Sequence, residues 1–179
     1  MTDLNFRVSL VEFAWENCGD ETDPVVVKSL TVAPDPITIP GTLTLSGTVS
    51  CGETISSPLK WPAPAAGSRD VPGHRCGSPE LAWLPCTNFL GSCTYDDVCT
   101  LLDDAIPPGT FCPEPLLTYG IPCHCPFQEG SYSLPESNIE LPEVELPSWL
   151  TNGNYRVQAV ISSDGNQLAC MKVTFSLQS

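Results

Sequence analysis

Basic residues are scarce in this sequence, and long apolar runs are absent. Seven Lys and Arg stand against 21 Asp and Glu, which gives a formal net charge of −14 and a sequence pI of about 4.1. Such an acidic surface argues against nucleic acid as a partner, because nucleic-acid-binding proteins need clustered cations to contact phosphates. No stretch approaches the roughly 18 consecutive apolar residues of a membrane-spanning helix, so the sequence predicts no helical membrane span.

Catalytic signatures are also lacking. The sequence has neither a G-x-S-x-G elbow nor an H-E-x-x-H motif, and its two histidines are His74 and His124. Carboxylate pairs such as Asp103-Asp104 are interpreted as plain surface in a chain this acidic. We therefore predict no catalytic residues, no cofactor and no enzymatic activity of the chain's own.

Cysteine, in contrast, is abundant. Ten cysteines in 179 residues indicate an oxidising compartment, because a reduced cytosolic protein of this size seldom carries so many. We therefore expect secretion or residence in the endomembrane lumen. A secretory signal contains an apolar segment, whereas Met1–Trp15 carries Asp3, Arg7 and Glu12. We interpret the sequence as lacking its native start.

Cys123-His124-Cys125 raises the alternative that some cysteines bind a metal ion. Structural zinc sites usually pair two C-x2-C knuckles, and that spacing does not occur in this sequence. Disulfide bonds are therefore the favoured interpretation, and no metal site is predicted.

Alternating apolar residues near the C-terminus predict a β-hairpin. One alternating run begins at Tyr155 and another at Met171, and Asp164-Gly165 between them is a strong two-residue turn signal. Residues 25–50 are rich in Val, Ile, Leu and Thr and are punctuated by Pro and Gly. This pattern predicts short strands with sharp turns.

One helix is predicted where Thr94 can serve as its cap. Asp96 and Asp97 suit the positive first turn of such a helix. Apolar residues then follow at helical spacing until Pro107-Pro108-Gly109 ends it.

Two further segments are predicted to be irregular. Between residues 113 and 147 prolines recur too often for long regular elements, so loops and edge strands are expected there. Residues 61–79 are rich in Pro and Gly and show no apolar alternation, which predicts a loop or a disordered insert.

Apolar side chains also occur among turn-forming residues. Trp149 and Leu150 precede Thr-Asn-Gly, and the run from Leu116 to Ile121 has the same character. Such residues suit a loop tip that contacts a membrane. They suit side chains folded back onto the core equally well, and the sequence leaves both interpretations open.

Several motifs are more specific than composition. The cysteine-rich region contains Cys-Pro-Glu-Pro at 112–115, Thr-Tyr-Gly at 118–120 and Pro-Cys-His-Cys-Pro-Phe at 122–127. Ser-Ser-Pro-Leu-Lys at 56–60 and Glu-Leu-Pro-Ser-Trp-Leu at 145–150 flank them. Together these motifs resemble the GM2 ganglioside activator family, whose members have an ML-type lipid-recognition domain. The likeness covers about residues 13–60 and 84–177.

The resemblance implies an all-β fold: an antiparallel β-cup or sandwich with one short helix, an apolar lipid cavity and several disulfides. Residues 13–179 would form this single lipid-binding domain, with 61–79 as an irregular segment inside it. Residues 1–12 would be a poorly ordered N-terminal extension. The bridges implied at matching positions are Cys18 with Cys170, Cys86 with Cys93, Cys99 with Cys125, and Cys112 with Cys123.

The resemblance also implies a function. Members of the family extract ganglioside from membranes of an acidic compartment and present it to β-hexosaminidase A, without catalysing a reaction themselves. The expected location is the lysosomal lumen or the secreted fraction, and the expected partners are the glycosphingolipid, the hydrolase and, peripherally, the membrane surface. The side chains expected to contact lipid or membrane are Leu116, Leu117, Tyr119, Ile121, Phe127, Trp149, Leu150, Tyr155 and Val157.

Two departures from the family leave alternatives open. The family has a long alternating strand where this chain has residues 61–79, so a wall of the cup is expected to be altered. Cys51 and Cys76 match none of the family's eight cysteines, and they form either a fifth bridge or free thiols. The alternative functions are a secreted disulfide-rich interaction domain without a lipid pocket and a small glycosidase or lipase.

Overall fold

The structure is a computed structural model that describes residues 10–61, 67–70, 81–83, 86, 93–141, 143 and 152–179; for 67–70 and 81–83 it describes the backbone. Within these ranges the chain forms nine strands and one helix. In chain order they are β1 (Ala14–Asn17), β2 (Val25–Ala33), β3 (Ile37–Thr38), β4 (Gly41–Cys51), β5 (Gly67–Asp70), β6 (Leu81–Trp83), α1 (Val98–Ala105), β7 (Gly130–Leu141), β8 (Gly153–Ser163) and β9 (Asn166–Gln178).

The strands form two sheets, which we call the small sheet and the large sheet. The small sheet has the order β2-β4-β7, and both of its pairings are antiparallel. The large sheet has the order β1-β9-β8-β5-β6, and β3 also pairs with β9, in parallel. This arrangement confirms the predicted all-β class with one short helix.

The predicted C-terminal hairpin is confirmed as β8 and β9, which pair from Gly153–Leu177 to Ser163–Asn166. Its turn residues Asp164 and Gly165 have φ angles of 49° and 78°. Positive φ at both central residues is the requirement of a type I′ turn, which matches the twist of the flanking strands.

The small sheet is more regular than predicted. The expectation of short strands in residues 25–50 is wrong for β2, which runs for 9 residues, and for β4, which runs for 11, whereas β3 between them has only two. β7 is a 12-residue strand in the segment that was expected to lack long elements. It contains Pro135, which is accommodated because β7 is an edge strand and its pairing with β4 is irregular between Leu45 and Gly47.

The segment 61–79 was expected to be irregular, and part of that prediction is wrong. Gly67–Asp70 forms β5, which pairs with β8 on one side and with β6 on the other. The hydrogen bonds of such pairing join backbone groups. A strand can therefore form without an apolar alternation in its sequence. The wall of the cup that was expected to be altered is therefore present at this position, but it consists of two short strands, β5 and β6.

The helix forms in the predicted region but begins later, at Val98, so the expectation that Asp96 and Asp97 lie in its first turn is wrong. Asp97, not Thr94, is the N-cap residue, and its Oδ1 accepts from the Cys99 N–H at 3.0 Å. The helix ends at Ala105, just before Pro107, as the sequence indicates. Asp97 serves as the cap instead of Thr94 because its carboxylate also accepts hydrogen bonds from groups that are distant in sequence, such as the Leu59 N–H.

Four disulfides are present, and their pairing is the one that the resemblance implies: Cys18–Cys170, Cys86–Cys93, Cys99–Cys125 and Cys112–Cys123. The first joins residues 152 positions apart, so on the chain-entropy model it stabilises the fold by about 5 kcal/mol. Cys51 has a free, buried thiol, so the structure does not form the possible fifth bridge; Cys76 lies outside the described residues.

The start of the described chain is bound to the hairpin. The Val11 N–H donates to Ser176 Oγ at 3.0 Å, and the Ser176 hydroxyl lies 2.8 Å from the Val11 carbonyl oxygen. Part of the predicted extension 1–12 is thus anchored, while residues 1–9 lie outside the described residues. In the described part of the chain no helix is long and apolar enough to cross a membrane.

Candidate functional site

The small sheet has one polar face and one apolar face. On the polar face Thr42 Oγ1 donates to Glu140 Oε1 at 2.8 Å and Thr44 Oγ1 donates to Asn138 Oδ1 at 2.9 Å. The register places the alternate residues on the opposite face. These are Leu30, Val32, Leu43, Leu45, Val49, Tyr132, Leu134, Ile139 and Leu141, and all of them are only half-buried.

The large sheet has the same asymmetry. Arg156 and Lys172 are exposed on one face of β8 and β9, whereas the opposite face carries paired apolar residues. Tyr155 is buried there and stacks on Phe175 with ring centroids 5.5 Å apart. The half-buried members of this face are Val157, Ala159, Ile161, Met171, Val173 and Phe175.

Polar contacts from β1 hold the two apolar faces toward each other. Trp15 lies on the inner side of the large sheet beside Val173, and its indole N–H donates to the Leu30 carbonyl oxygen of β2 at 2.9 Å. Asn17 Nδ2 donates to the Val27 carbonyl oxygen at 2.8 Å, and the Val27 N–H donates to Asn17 Oδ1 at 3.1 Å. These bonds join the edges of the sheets along one side.

A cluster of fully buried apolar residues occupies one end of this double sheet, whereas near the other end Tyr155 is buried against Phe175. In the described residues its buried cluster consists of Cys51, Ile55, Leu59, Cys99 and Leu168. This end collects the last residue of β4, the first residues of β2 and β7, and the turn between β8 and β9. We call this cluster the plug and this end of the double sheet the plug end. The opposite end, where β7 ends and β8 begins, is called the open end.

The plug is held by the carboxylate of Asp97. Oδ1 accepts from the Leu59 N–H and the Cys99 N–H, both at 3.0 Å, while Oδ2 accepts from the Ser57 hydroxyl and from Thr100 Oγ1. The Ser57 hydrogen bond, with the Leu59 and Cys99 N–H groups, lowers the pKa of Asp97. The carboxylate therefore stays ionised, and stays bonded, in mildly acidic solution.

Away from the plug, the described residues of the two facing apolar surfaces are less buried than those of the cluster. In a solid sandwich the inward leucines and valines of both sheets would be almost fully buried, but here they remain half-buried. The two sheets thus present facing apolar surfaces that are only partly covered by the described residues, and we call the space between these surfaces the hollow. A separate cleft of about 220 Å³ beside the hairpin turn is lined by polar groups such as Glu53 and Asp164, and it is smaller than a typical ligand pocket.

The predicted lipid-contacting residues fall into four places. Tyr155 and Val157 lie on the inner face of the large sheet, whereas Phe127 packs against the plug and exchanges backbone hydrogen bonds with Ile55 at 2.7 and 2.8 Å. Trp149 and Leu150 lie outside the described residues. The remaining four belong to the loop after the helix: Leu116 and Ile121 are half-buried, and Leu117 and Tyr119 are exposed.

The same loop contains an exposed aromatic residue that the sequence reasoning missed. The Phe111 side chain is 85% exposed, more than any other large hydrophobic residue identified in the described chain. Its signal in the sequence is a phenylalanine placed between Gly109-Thr110 and Cys112-Pro113, where polar residues are usual. Leu117 and Tyr119 are exposed to 46% and 44%.

His124 does not form a metal site with its neighbours. Cys123 and Cys125 are both in disulfides, so neither offers a thiolate ligand. His124 Nδ1 lies 2.9 Å from Asp103 Oδ1, and this pair links the cysteine-rich loop to α1. Among the described residues no group of three metal-ligating side chains comes together.

Comparison with known proteins identifies the family to which the chain belongs. A family model described as the ML domain matches residues 12–177. The chain is 47% identical to the ganglioside GM2 activator of Mus musculus over 168 residues, which are 93% of this chain and 82% of that protein. It is 48% identical to the ganglioside GM2 activator of Macaca fascicularis over 171 residues, which are 94% of this chain and 85% of that protein.

Proposed function

The chain belongs to the ML domain family, and from that premise we propose that it is a non-enzymatic activator that binds glycolipid. It extracts ganglioside from membranes of an acidic compartment, the lysosomal lumen, and presents the sugar head to β-hexosaminidase A. The ceramide tails occupy the apolar hollow while the hydrolase cleaves the exposed head. The observation that carries this proposal is the half-buried apolar lining of both sheets.

Energetics favour a hollow over a flat contact for this task. Exposing two acyl chains to water costs about 0.8 kcal/mol per methylene, or on the order of 20 kcal/mol in total. A surface patch leaves much of each chain in water, whereas two facing apolar sheets surround it. The polar outer face of the small sheet, with its Thr42–Glu140 and Thr44–Asn138 hydrogen bonds, keeps the carrier soluble.

Acidic pH favours contact between the protein and the membrane. With a formal net charge of −14, the protein is repelled by anionic lipid at neutral pH. Free Asp and Glu titrate near pH ~3.9 and ~4.3, so part of this charge is lost by about pH 4.5. The lowered pKa of Asp97 keeps the plug bonded under the same conditions. Extraction is therefore stronger in acid while the fold persists.

The test is hydrolysis of ganglioside in anionic vesicles by purified β-hexosaminidase A, with and without this protein, at pH 4.5 and pH 7. The proposal predicts that the protein increases hydrolysis, more at pH 4.5, and that the protein without the hydrolase releases no sugar. Release of sugar by the protein alone would instead support the small glycosidase. No uptake of lipid and no stimulation would support an interaction domain without a pocket.

A further inference from the structure

Three exposed large side chains lie in or directly before the loop closed by the Cys112–Cys123 disulfide, and the lipid-binding interior does not explain their exposure. We call Phe111, Leu117 and Tyr119 the disulfide-loop patch; their side chains are 85%, 46% and 44% exposed. Several large hydrophobic side chains left exposed on one short crosslinked loop indicate an interaction surface.

The patch lies at the plug end and not at the open end. Phe111 precedes Cys112, which is bridged to Cys123, and the neighbouring His124 is bonded to Asp103 of α1. The helix itself is tied to the plug by the 2.7 Å bond from the Val98 N–H to the Leu59 carbonyl oxygen. The patch is therefore held near the closed end of the hollow.

The loop that carries the patch is ordered before any partner binds. The Ile121 N–H donates to the Leu116 carbonyl oxygen at 3.0 Å, and the Leu117 N–H donates to the Pro113 carbonyl oxygen at 3.3 Å. Glu114 Oε2 accepts from the Thr118 N–H at 3.2 Å and also from its hydroxyl. Binding to such a preorganised loop costs little additional ordering entropy.

Acidic side chains lie in the same loop and on the helix tied to it, and their charge bears on which partner the patch binds. Asp103 and Asp104 are exposed on α1, the helix that His124 ties to this loop, and Glu114 is exposed within the loop. An anionic membrane surface would be repelled by these carboxylates, whereas Lys and Arg of a protein partner would be attracted. Charge complementarity thus favours a protein over a lipid surface.

We propose that the disulfide-loop patch docks the hydrolase, through a partner surface in which an apolar pocket is ringed by Lys and Arg. This inference rests on the proposed function and assigns that function its protein-contact surface. The lipid then enters the hollow at the open end, while the partner binds beside the plug end. Lipid uptake and partner docking consequently depend on different residues.

The experiment separates docking from extraction. The protein is first loaded with ganglioside and freed of vesicles, and hydrolysis by purified β-hexosaminidase A is measured against the concentration of loaded protein at pH 4.5. Phe111→Ser is expected to raise the half-maximal concentration at least tenfold, because truncation of a central aromatic contact has effects of this size. Asp104→Lys is expected to raise it severalfold, and the difference from wild type should shrink in 0.5 M salt, which screens charges beyond ~4 Å.

Glu136→Lys is the matched control for charge. It introduces the same change on the exposed edge of β7, six residues and about 20 Å from the plug-end start of that strand. It should leave the half-maximal concentration within twofold of wild type. An unchanged circular dichroism spectrum shows that Phe111→Ser and Asp104→Lys are folded. Unchanged extraction of ganglioside from vesicles shows that both variants are loaded with lipid.

Two results would overturn the inference. Unchanged hydrolysis of pre-loaded ganglioside by both variants would show that the patch contacts no hydrolase. Loss of vesicle binding by Phe111→Ser, with normal hydrolysis of pre-loaded ligand, would assign the patch to the membrane. Failure of the proposed function is a separate outcome, since it would appear in the wild-type protein as absent lipid uptake.

Discussion

The indole N–H of Trp15 donates to the backbone carbonyl oxygen of Leu30 across 2.9 Å, and this bond connects the large sheet to the small sheet. Because Trp15 also lies on the inner face beside Val173, the same residue lines the hollow and joins its two walls. The separation of the walls therefore depends on a specific polar contact as well as on packing.

Trp15→Phe should lower the free energy of unfolding by about 1 kcal/mol, since it removes one hydrogen bond and keeps most of the ring. Trp15→Ala should lower it by about 3 kcal/mol or more, because the packing is lost as well. Urea denaturation monitored by circular dichroism measures both. Equal stability of Trp15→Phe and wild type would show that the bond does not hold the sheets together.

Ala159→Trp tests the hollow directly. Ala159 is half-buried on the inner face opposite Met171, so the larger side chain should enter the space meant for lipid tails and reduce ganglioside uptake at least tenfold. Its free energy of unfolding should change by less than about 1 kcal/mol, whereas overpacking of a filled core costs about 1–3 kcal/mol. Uptake is measured by native mass spectrometry.

Gln158→Trp is the control for that substitution, because the neighbouring residue points to the other face of β8, opposite Lys172. It should take up lipid as well as wild type does. A strong loss of stability in Ala159→Trp, together with a stable control, would contradict an empty interior.

The pH dependence of the plug follows from Asp97. Its pKa is lowered in the folded protein, chiefly by the Ser57 hydrogen bond, so its contribution is complete above the unfolded value of about 3.9 and is lost as the pH falls through the folded value. Asp97→Asn should therefore be less stable than wild type by about 1 kcal/mol from pH 7 to pH 4.5, because the amide oxygen can still cap the helix but the amide nitrogen cannot accept from the Ser57 and Thr100 hydroxyls. The difference should shrink below about pH 3.9.

Urea titrations at several pH values measure this dependence, with Asp104→Asn, an exposed residue on the same helix, as control. A stability difference between Asp97→Asn and wild type that disappeared already at pH 5 would contradict the lowered pKa.

The state of Cys51 is a further test of the plug. Its thiol is buried at the end of β4, and burial raises its pKa, so little reactive thiolate forms. In the native protein Cys51 should resist iodoacetamide for hours, and it should be alkylated rapidly in 6 M guanidinium chloride without reductant. Peptide mapping by mass spectrometry identifies the label. Alkylation of Cys51 in guanidinium chloride only after reductant is added, together with a Cys51–Cys76 peptide before reduction, would show a fifth bridge instead.

Local patterns in the sequence predicted the hairpin well, because alternation and Asp164-Gly165 act within a few residues. Features that depend on distant partners were not readable. Thr94 has the chemistry of a cap, but Asp97 serves because Leu59 and Ser57 come close to its carboxylate. β5 has no strand pattern of its own and is recruited by the backbone of β8.

The site was only partly predictable for a similar reason. Alternation identifies Tyr155 and Val157 as members of one face, but it does not reveal whether the opposite sheet fills the space in front of them. The exposure of Phe111 likewise depends on how the loop between Cys112 and Cys123 folds. The hollow is a property of two sheets together, so it first becomes visible in three dimensions.

Whether the protein carries lipid is best measured by native mass spectrometry after incubation with ganglioside-containing vesicles at pH 4.5. We expect folded protein with one ganglioside per chain, and the ganglioside should stay bound after the vesicles are removed. Recovery of folded protein without any lipid, under conditions of excess ganglioside, would contradict this expectation.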